Sequence, residues 1–117
     1  FLDGERIRSN KIAFTSFPRS GNTFLRKYLQ LLTGVPTGSD NTLHTDTILQ
    51  MQGLKGEDIV DDTCWIVKSR SPWIMPFAPP FNSNKVLVIV RNPMESNISW
   101  LNCIHMGTHS CKVPFEV

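Results

Sequence analysis

The chain has 117 residues, of which 40% are hydrophobic and 19% are charged, and its formal net charge is +2. These values are typical of one folded domain and exclude an intrinsically disordered chain. The charge is too small to indicate nucleic-acid binding. No run of about 18 apolar residues and no secretory signal is present, so we expect no membrane contact from this segment. We expect residues 1–117 to form a single domain, and the start at Phe1 rather than Met indicates a processed chain or a fragment.

The first predicted unit is a strand, a basic turn and a helix. Lys11–Phe17 has the alternation of a strand that enters a core, and apolar residues at helical spacing predict a helix over Thr23–Leu32, ended by Gly34. The unpaired N–H groups and the dipole at the start of such a helix attract anions. The Arg19 guanidinium and the Ser20 hydroxyl can add charge-assisted bonds. This turn therefore predicts a phosphate or sulfate site.

The middle of the chain is predicted to alternate loops with short elements. Proline and glycine indicate a loop over Val35–Asn41, and Asp46–Gln52 is predicted to form a short helix. The polar segment Gly53–Asp62 is expected to be exposed. Thr63–Lys68 is predicted as the second strand. The Pro- and aromatic-rich Ser69–Asn84 is predicted as an irregular segment that covers the core or lines a pocket.

A second strand–turn–helix unit follows. Lys85–Val90 is almost continuously apolar, which is typical of a parallel strand covered on both faces. Arg91 follows it, and Met94–Ile104 is predicted as a helix. Asn92 is its expected cap, with Glu95 reaching back to the cap. The order of strands and helices predicts an α/β fold with three layers, α/β/α, around a mainly parallel sheet.

The three cysteines, Cys64, Cys103 and Cys111, form no C-x-x-C pair. Free or buried thiols account for them, and a Cys103–Cys111 bridge is an alternative in an oxidising compartment. A zinc site that adds His105 and His109 would fit no strong spacing template, so we expect no metal.

The two basic turns are expected to act together. The carboxyl ends of parallel strands meet at one edge of a sheet, so the Arg19 and Arg91 turns should face the same crevice. The first turn lacks the G-x-x-x-x-G-K-[ST] pattern of nucleoside triphosphatases, which argues against Mg²⁺-dependent triphosphate chemistry. It suits a smaller phosphate or a phosphosulfate.

Together the two units resemble the sulfotransferases that use 3′-phosphoadenosine 5′-phosphosulfate (PAPS). Phe17–Leu25 (FPRSGNTFL) is similar to the 5′-phosphosulfate loop of that family, Y-P-K-S-G-T-T-W-L. Val90–Ser99 (VRNPMESNIS) is similar to its 3′-phosphate segment, R-N-P-x-D/E with a later Ser. With Thr37–Ser39 downstream, the pattern most resembles the WSC-domain-containing and protist sulfotransferases. The resemblance implies a P-loop-like fold, here incomplete, because members usually run to about twice this length.

The resemblance also implies roles for single residues. Eight positions are expected to hold the co-substrate: Arg19, Ser20, Gly21, Asn22, Thr23, Phe24, Arg91 and Ser99. Arg19 stands where the family usually has the Lys that stabilises the leaving oxygen, and its fork is longer and planar. Phe24 matches an aromatic position that stacks on adenine, and core packing is the alternative. Arg91 and Ser99 would bind the 3′-phosphate.

The general base is the part of the pattern that this chain does not match. Val67–Arg70 is similar to the V-K-T-H segment, whose His is the base in cytosolic members, but Arg70 has no lone pair to accept a proton. Lys68 is expected to contact the bridging oxygen or the acceptor, and His44 or Asp46 is a candidate base. Otherwise the base lies in sequence not present here, or the chain binds the co-substrate without turnover.

The implied reaction is in-line transfer of a sulfuryl group from PAPS, without a metal. The acceptor is a hydroxyl or amine on an unidentified small molecule, glycan or protein. The alternatives are a P-loop kinase-like nucleotide-binding protein and a non-catalytic or truncated sulfotransferase-like module. No nucleic-acid partner is expected. Localisation stays open, and the similarity to the WSC-domain type favours a membrane-anchored Golgi-type parent protein over a cytoplasmic one.

Overall fold

A computed structural model describes residues 10–41, 47–70 and 78–106. Within those ranges the elements in chain order are β1 (Ile12–Ser16), α1 (Asn22–Thr33), β2 (Thr37–Ser39), α2 (Thr47–Met51), β3 (Ile66–Ser69), β4 (Lys85–Ile89) and α3 (Pro93–Met106). The two predicted strand–turn–helix units are therefore confirmed, with boundaries that lie within two residues of the predicted ones.

The strands form one parallel sheet in the order β2-β3-β1-β4. Phe14 of β1 lies between Lys68 of β3 and Leu87 of β4, and Ser39 of β2 lies beside Lys68. The prediction of an α/β fold with a mainly parallel sheet is confirmed. Because β1 is flanked by β3 and β4, the segments that follow these strands meet at one edge.

Strand β2 was not predicted from the sequence. Val35–Asn41 was expected to be a loop, but Thr37–Ser39 pairs with β3 and is buried. A Cβ on Gly38 would collide with the carbonyl oxygen of Ile59, so glycine allows this strand to pack closely against the following segment. A three-residue strand made by long-range pairing carries no periodicity of its own, which explains the error.

The segment Gly53–Asp62 was expected to be exposed, but parts of it are buried. Leu54 is 1% exposed and Glu57 is 2% exposed. Arg26 of α1 is fully buried, and its guanidinium forms an ion pair with Glu57 at 2.5 Å. Its Nη2 also donates to the carbonyl oxygen of Thr37 at 2.9 Å. Arg26 thus links α1 to β2 through the Thr37 carbonyl and to the segment that contains Glu57 through the ion pair. In this pair each buried charge is compensated by the other.

β4 contradicts the expectation that both its faces are covered. Val86 and Val88 project to one face and are 66% and 55% exposed, and Leu87, on the other face, is 39% exposed. β4 is one of the two edge strands of the described sheet. Its apolar composition shows which residues it could bury and does not show what packs beside it.

The buried apolar core lies around β1, β3 and the segment between α2 and β3. Its members are Phe14, Leu54, Cys64, Ile66 and Val67. Burial raises the pKa of the Cys64 thiol above its ordinary value of 9.0, so this side chain remains neutral in the core. No helix in the described ranges is both long enough and apolar enough to cross a membrane.

Candidate functional site

The turn between β1 and α1 has a backbone shaped for close approach of a ligand. Arg19 has a φ of 67° and Gly21 a φ of 92°, so two of the three residues from 19 to 21 are left-handed. Glycine adopts this conformation freely, but a non-glycine residue does so at a cost. Gly21 is the N-cap of α1 and offers no side-chain bond to the helix. The first N–H groups of α1 therefore lack a capping side chain and remain available to an anion.

Ser20 supplies a second, independent sign of a ligand site in this turn. Its side chain is 8% exposed, and its Oγ has no hydrogen-bond partner within the described residues. A buried hydroxyl without a partner is costly, and a phosphate or sulfate oxygen would satisfy it. Asn22 is anchored at the base of the turn, since its Nδ2 donates to Ser16 Oγ at 3.2 Å.

The second basic turn lies between β4 and α3. Asn92 caps α3 as predicted, because its Oδ1 accepts a hydrogen bond from the Met94 N–H at 3.0 Å. Glu95 does not reach back to the cap, which corrects the expected capping box. Its carboxylate instead accepts from the Arg91 guanidinium at 3.2 and 3.3 Å. This pair is one helical turn apart and exposed, so it orients Arg91 without burying it.

Direct contacts join the two turns. Arg91 Nη1 donates to the backbone oxygen of Arg19 at 2.9 Å, and Arg19 Nε donates to Ser99 Oγ at 3.0 Å. The rings of Phe17 and Trp100 lie 5.9 Å apart. The structure thus brings together three of the residues predicted from separate motifs: Arg19 in the turn after β1, Arg91 in the turn after β4, and Ser99 in α3.

Phe24 lies on the surface and not in the core. It is 75% exposed in the first turn of α1, and its ring stacks with that of Tyr28 at 6.4 Å and 11°. Core packing was one expectation for Phe24, and this exposure contradicts it. Thr23 precedes it in the same helical turn and is half-buried. An exposed aromatic face next to the Arg19 turn can stack on a planar ring.

Of the remaining predicted catalytic residues, Lys68 lies on β3 and the others lie outside the described residues. Lys68 is 8% exposed on β3, on the same face of the sheet as its register partners Phe14 and Ser39. His44 and Asp46 lie outside the described residues. So do Cys111 and His109, which the alternative disulfide and zinc expectations need. In the described ranges no group of three His, Cys, Asp or Glu side chains could hold a metal ion.

Two polar residues at this edge of the sheet were not singled out from the sequence. Ser96, in the first turn of α3, is 1% exposed, and its Oγ has no partner within the described residues. Asp40 follows β2, is 8% exposed, and its Oδ1 likewise lacks a partner there. Ser96 lies inside the R-N-P segment, so the sequence could have identified it as a candidate site residue. Asp40 could not be identified in this way, because its burial depends on a strand that the sequence did not reveal.

Comparisons with known proteins give relatives of one kind. The chain is 33% identical over 103 residues to a WSCD family member of Aedes aegypti, covering 86% of this chain and 31% of the relative. It is 36% identical over 90 residues to a WSCD family member of Drosophila melanogaster, covering 77% of this chain and 26% of the relative. The chain therefore spans between a quarter and a third of the length of these relatives. No family model and no solved structure matches it.

Proposed function

We propose that this chain is the nucleotide-binding part of a sulfotransferase that uses PAPS. The observation that carries the proposal is the contact between the two basic turns, in which Arg91 donates to the Arg19 carbonyl and Arg19 donates to Ser99. A nucleotide with a 5′-phosphosulfate and a 3′-phosphate needs two cationic sites a few ångströms apart. The similarity to WSCD family members agrees with the resemblance found in the motifs.

The residues present fit such a ligand. The start of α1, which has no side-chain cap, and the Ser20 hydroxyl, which has no partner among the described residues, offer donors to the 5′ group. Arg91 and the Ser96 hydroxyl, which is likewise without a described partner, offer donors at the start of α3. Phe24 offers an exposed ring to the adenine. These features support a P-loop-like arrangement of the site. The three-layer α/β/α architecture predicted from the sequence is part of the same proposal.

The chain's own residues would bind and orient the co-substrate and neutralise its negative charge. PAPS supplies the activated sulfuryl group. Arg19, held by Ser99, presents a fixed positive charge beside the turn, where negative charge develops on a leaving phosphate. Lys68 is a buried cation on the adjacent strand β3, and we keep it as the candidate contact to the bridging oxygen or acceptor. Arg70 cannot take a proton, so it has no role as base.

Calorimetric titration with adenosine 3′,5′-bisphosphate tests the proposal. We expect Arg91→Ala to weaken binding by about 10- to 100-fold, since hydrogen bonds to charged groups contribute about 1.5–3 kcal/mol. Lys85→Ala is the matched control, because it removes the same charge from the opposite end of β4. Six residues of extended chain separate the two positions by roughly 20 Å, beyond the screening length at physiological salt.

Two results would contradict the proposal. Equal weakening by Lys85→Ala and Arg91→Ala would indicate a general charge effect and not a site. Tighter binding of ATP with Mg²⁺ than of the bisphosphate would favour the kinase-like alternative. The ligands can be ranked in parallel by thermal shift, because a ligand that binds only the folded chain raises its stability.

A further inference from the structure

One carboxylate oxygen at the end of β2 is buried without a partner among the described residues. Asp40 is 8% exposed, and its Oδ1 is buried and accepts no hydrogen bond from the described residues. Buried carboxylates are ordinarily paired or hydrogen-bonded, because removing the charge from water is expensive. A bound molecule could therefore donate a hydrogen bond to Asp40 Oδ1.

The backbone fixes where this carboxylate lies. The Asp40 N–H donates to the Lys68 carbonyl oxygen at 3.0 Å, which extends the β2–β3 ladder by one residue and sets Asp40 opposite Ser69. Asp40 is thus at the carboxyl edge of the sheet, the edge that also bears the Arg19 and Arg91 turns. Two strand spacings separate β2 from β1, or roughly 10 Å. Because β3 lies between these two strands, a sulfuryl group and its acceptor atom would lie over the end of β3, between Asp40 and the Arg19 turn.

Other described groups near this edge are unsuited to accept a proton. Arg70 lacks a lone pair. Glu57 is buried too, but its carboxylate is engaged by the Arg26 guanidinium. Asp40 has no such cation among the ion pairs within the described residues, so its carboxylate is open to a hydroxyl donor.

We propose that Asp40 is the group that receives the proton of the acceptor hydroxyl, an inference that rests on the proposed function. The acceptor oxygen attacks sulfur and forms the new O–S bond while its proton passes to the Asp40 carboxylate. The S–O bond to the 5′-phosphate breaks, and its electron pair leaves on the phosphate oxygen of adenosine 3′,5′-bisphosphate. The resulting carboxylic acid afterwards returns the proton to water. Lys68, whose backbone contacts Asp40, lies on the next strand.

The test compares Asp40→Asn with Asp61→Asn. Asp61 is the matched control, an exposed carboxylate bonded to the Thr63 N–H and hydroxyl. Turnover of radiolabelled PAPS is measured as labelled sulfate formed with water alone and as labelled phenyl sulfate formed with phenol, whose hydroxyl, like that of Tyr, keeps its proton at neutral pH. We expect Asp40→Asn to slow turnover by about 10²- to 10⁴-fold, the usual contribution of a general base. We expect Asp61→Asn to leave it unchanged, and both variants to bind adenosine 3′,5′-bisphosphate as the wild type does.

Thermal unfolding provides a readout that needs no turnover. Asp40→Asn removes an unpaired buried charge, so its melting temperature should equal or exceed that of the wild type, whereas Asp61→Asn should melt lower. A lower melting temperature for Asp40→Asn would show a structural carboxylate and overturn the assignment. So would normal turnover by Asp40→Asn, or no turnover by a wild type that binds the bisphosphate. Failure of the wild type to bind the bisphosphate would instead refute the proposed function.

Discussion

Replacement of Arg26 by methionine should remove a large part of the stability of this chain. Arg26 is fully buried and forms the ion pair with Glu57, which is 2% exposed. In Arg26→Met the Glu57 carboxylate keeps its burial but loses its cation, and its Oε2 already has no partner within the described residues. Breaking one side of a buried pair costs about 3–5 kcal/mol. Thr37 loses a hydrogen-bond donor to its carbonyl oxygen at the same time.

That cost is a large fraction of the free energy of unfolding of a chain of this size. A folded chain of this length has a free energy of unfolding of roughly 6–18 kcal/mol at the usual value per residue. We therefore expect Arg26→Met to lower the urea midpoint strongly and the melting temperature by roughly 10–20 °C. Circular dichroism followed through a urea titration and a thermal ramp measures both quantities.

The double variant Arg26→Met/Glu57→Met is the control that separates the charge from the packing. Buried ion pairs replaced by apolar residues of similar volume are often neutral in stability. The double variant should therefore recover most of the loss, although the Thr37 carbonyl stays without its donor. A single variant within about 1 kcal/mol of the wild type would refute the reasoning, as would a double variant no more stable than the single one.

Two further predictions concern the same part of the fold. Gly38→Ala should destabilise the chain by about 2–3 kcal/mol in a urea titration, because its Cβ would meet the Ile59 carbonyl oxygen and overpacking is costly; an unchanged midpoint would show that the segment gives way freely. Hydrogen bonds from Thr63 lower the pKa of Asp61 below its ordinary value of 3.8, so this group stabilises the fold above that value and the gain is lost as pH falls through the lowered pKa. Asp61→Asn should therefore be less stable than the wild type at neutral pH and converge with it in acid, and a constant difference across this range would contradict the assignment.

The two strand–turn–helix units were predictable because their signals are local. The apolar spacing of α1, its Gly34 end and the Asn92 cap all lie within a few residues of the elements they define. The parallel sheet followed from their order. The neighbouring positions of β1 and β4 then brought Arg19 and Arg91 together at one edge.

What could not be predicted depends on partners far away in the sequence. β2 exists because it pairs with β3, about thirty residues later. Glu57 is buried because Arg26 meets it, whereas its charge taken alone indicates the surface. β4 is exposed because the described structure places nothing beyond it, although its composition is that of a covered strand. The burial of Asp40 follows from the first of these, since the short strand β2 carries it into the sheet.

Under the proposed function, the contacts between the two turns prepare the site before the nucleotide binds. Arg19 in the left-handed region costs about 1–3 kcal/mol, and such a conformation persists only where its surroundings impose it. Arg91 and Ser99 impose it from the other turn, one through the Arg19 carbonyl and the other through its guanidinium. Arg91 is itself oriented by Glu95, an exposed pair that is worth at most about 1 kcal/mol and so yields readily to a phosphate. Contacts within the folded chain therefore offset the strain at Arg19 before a ligand binds. More of the free energy of the ligand's contacts then appears as affinity.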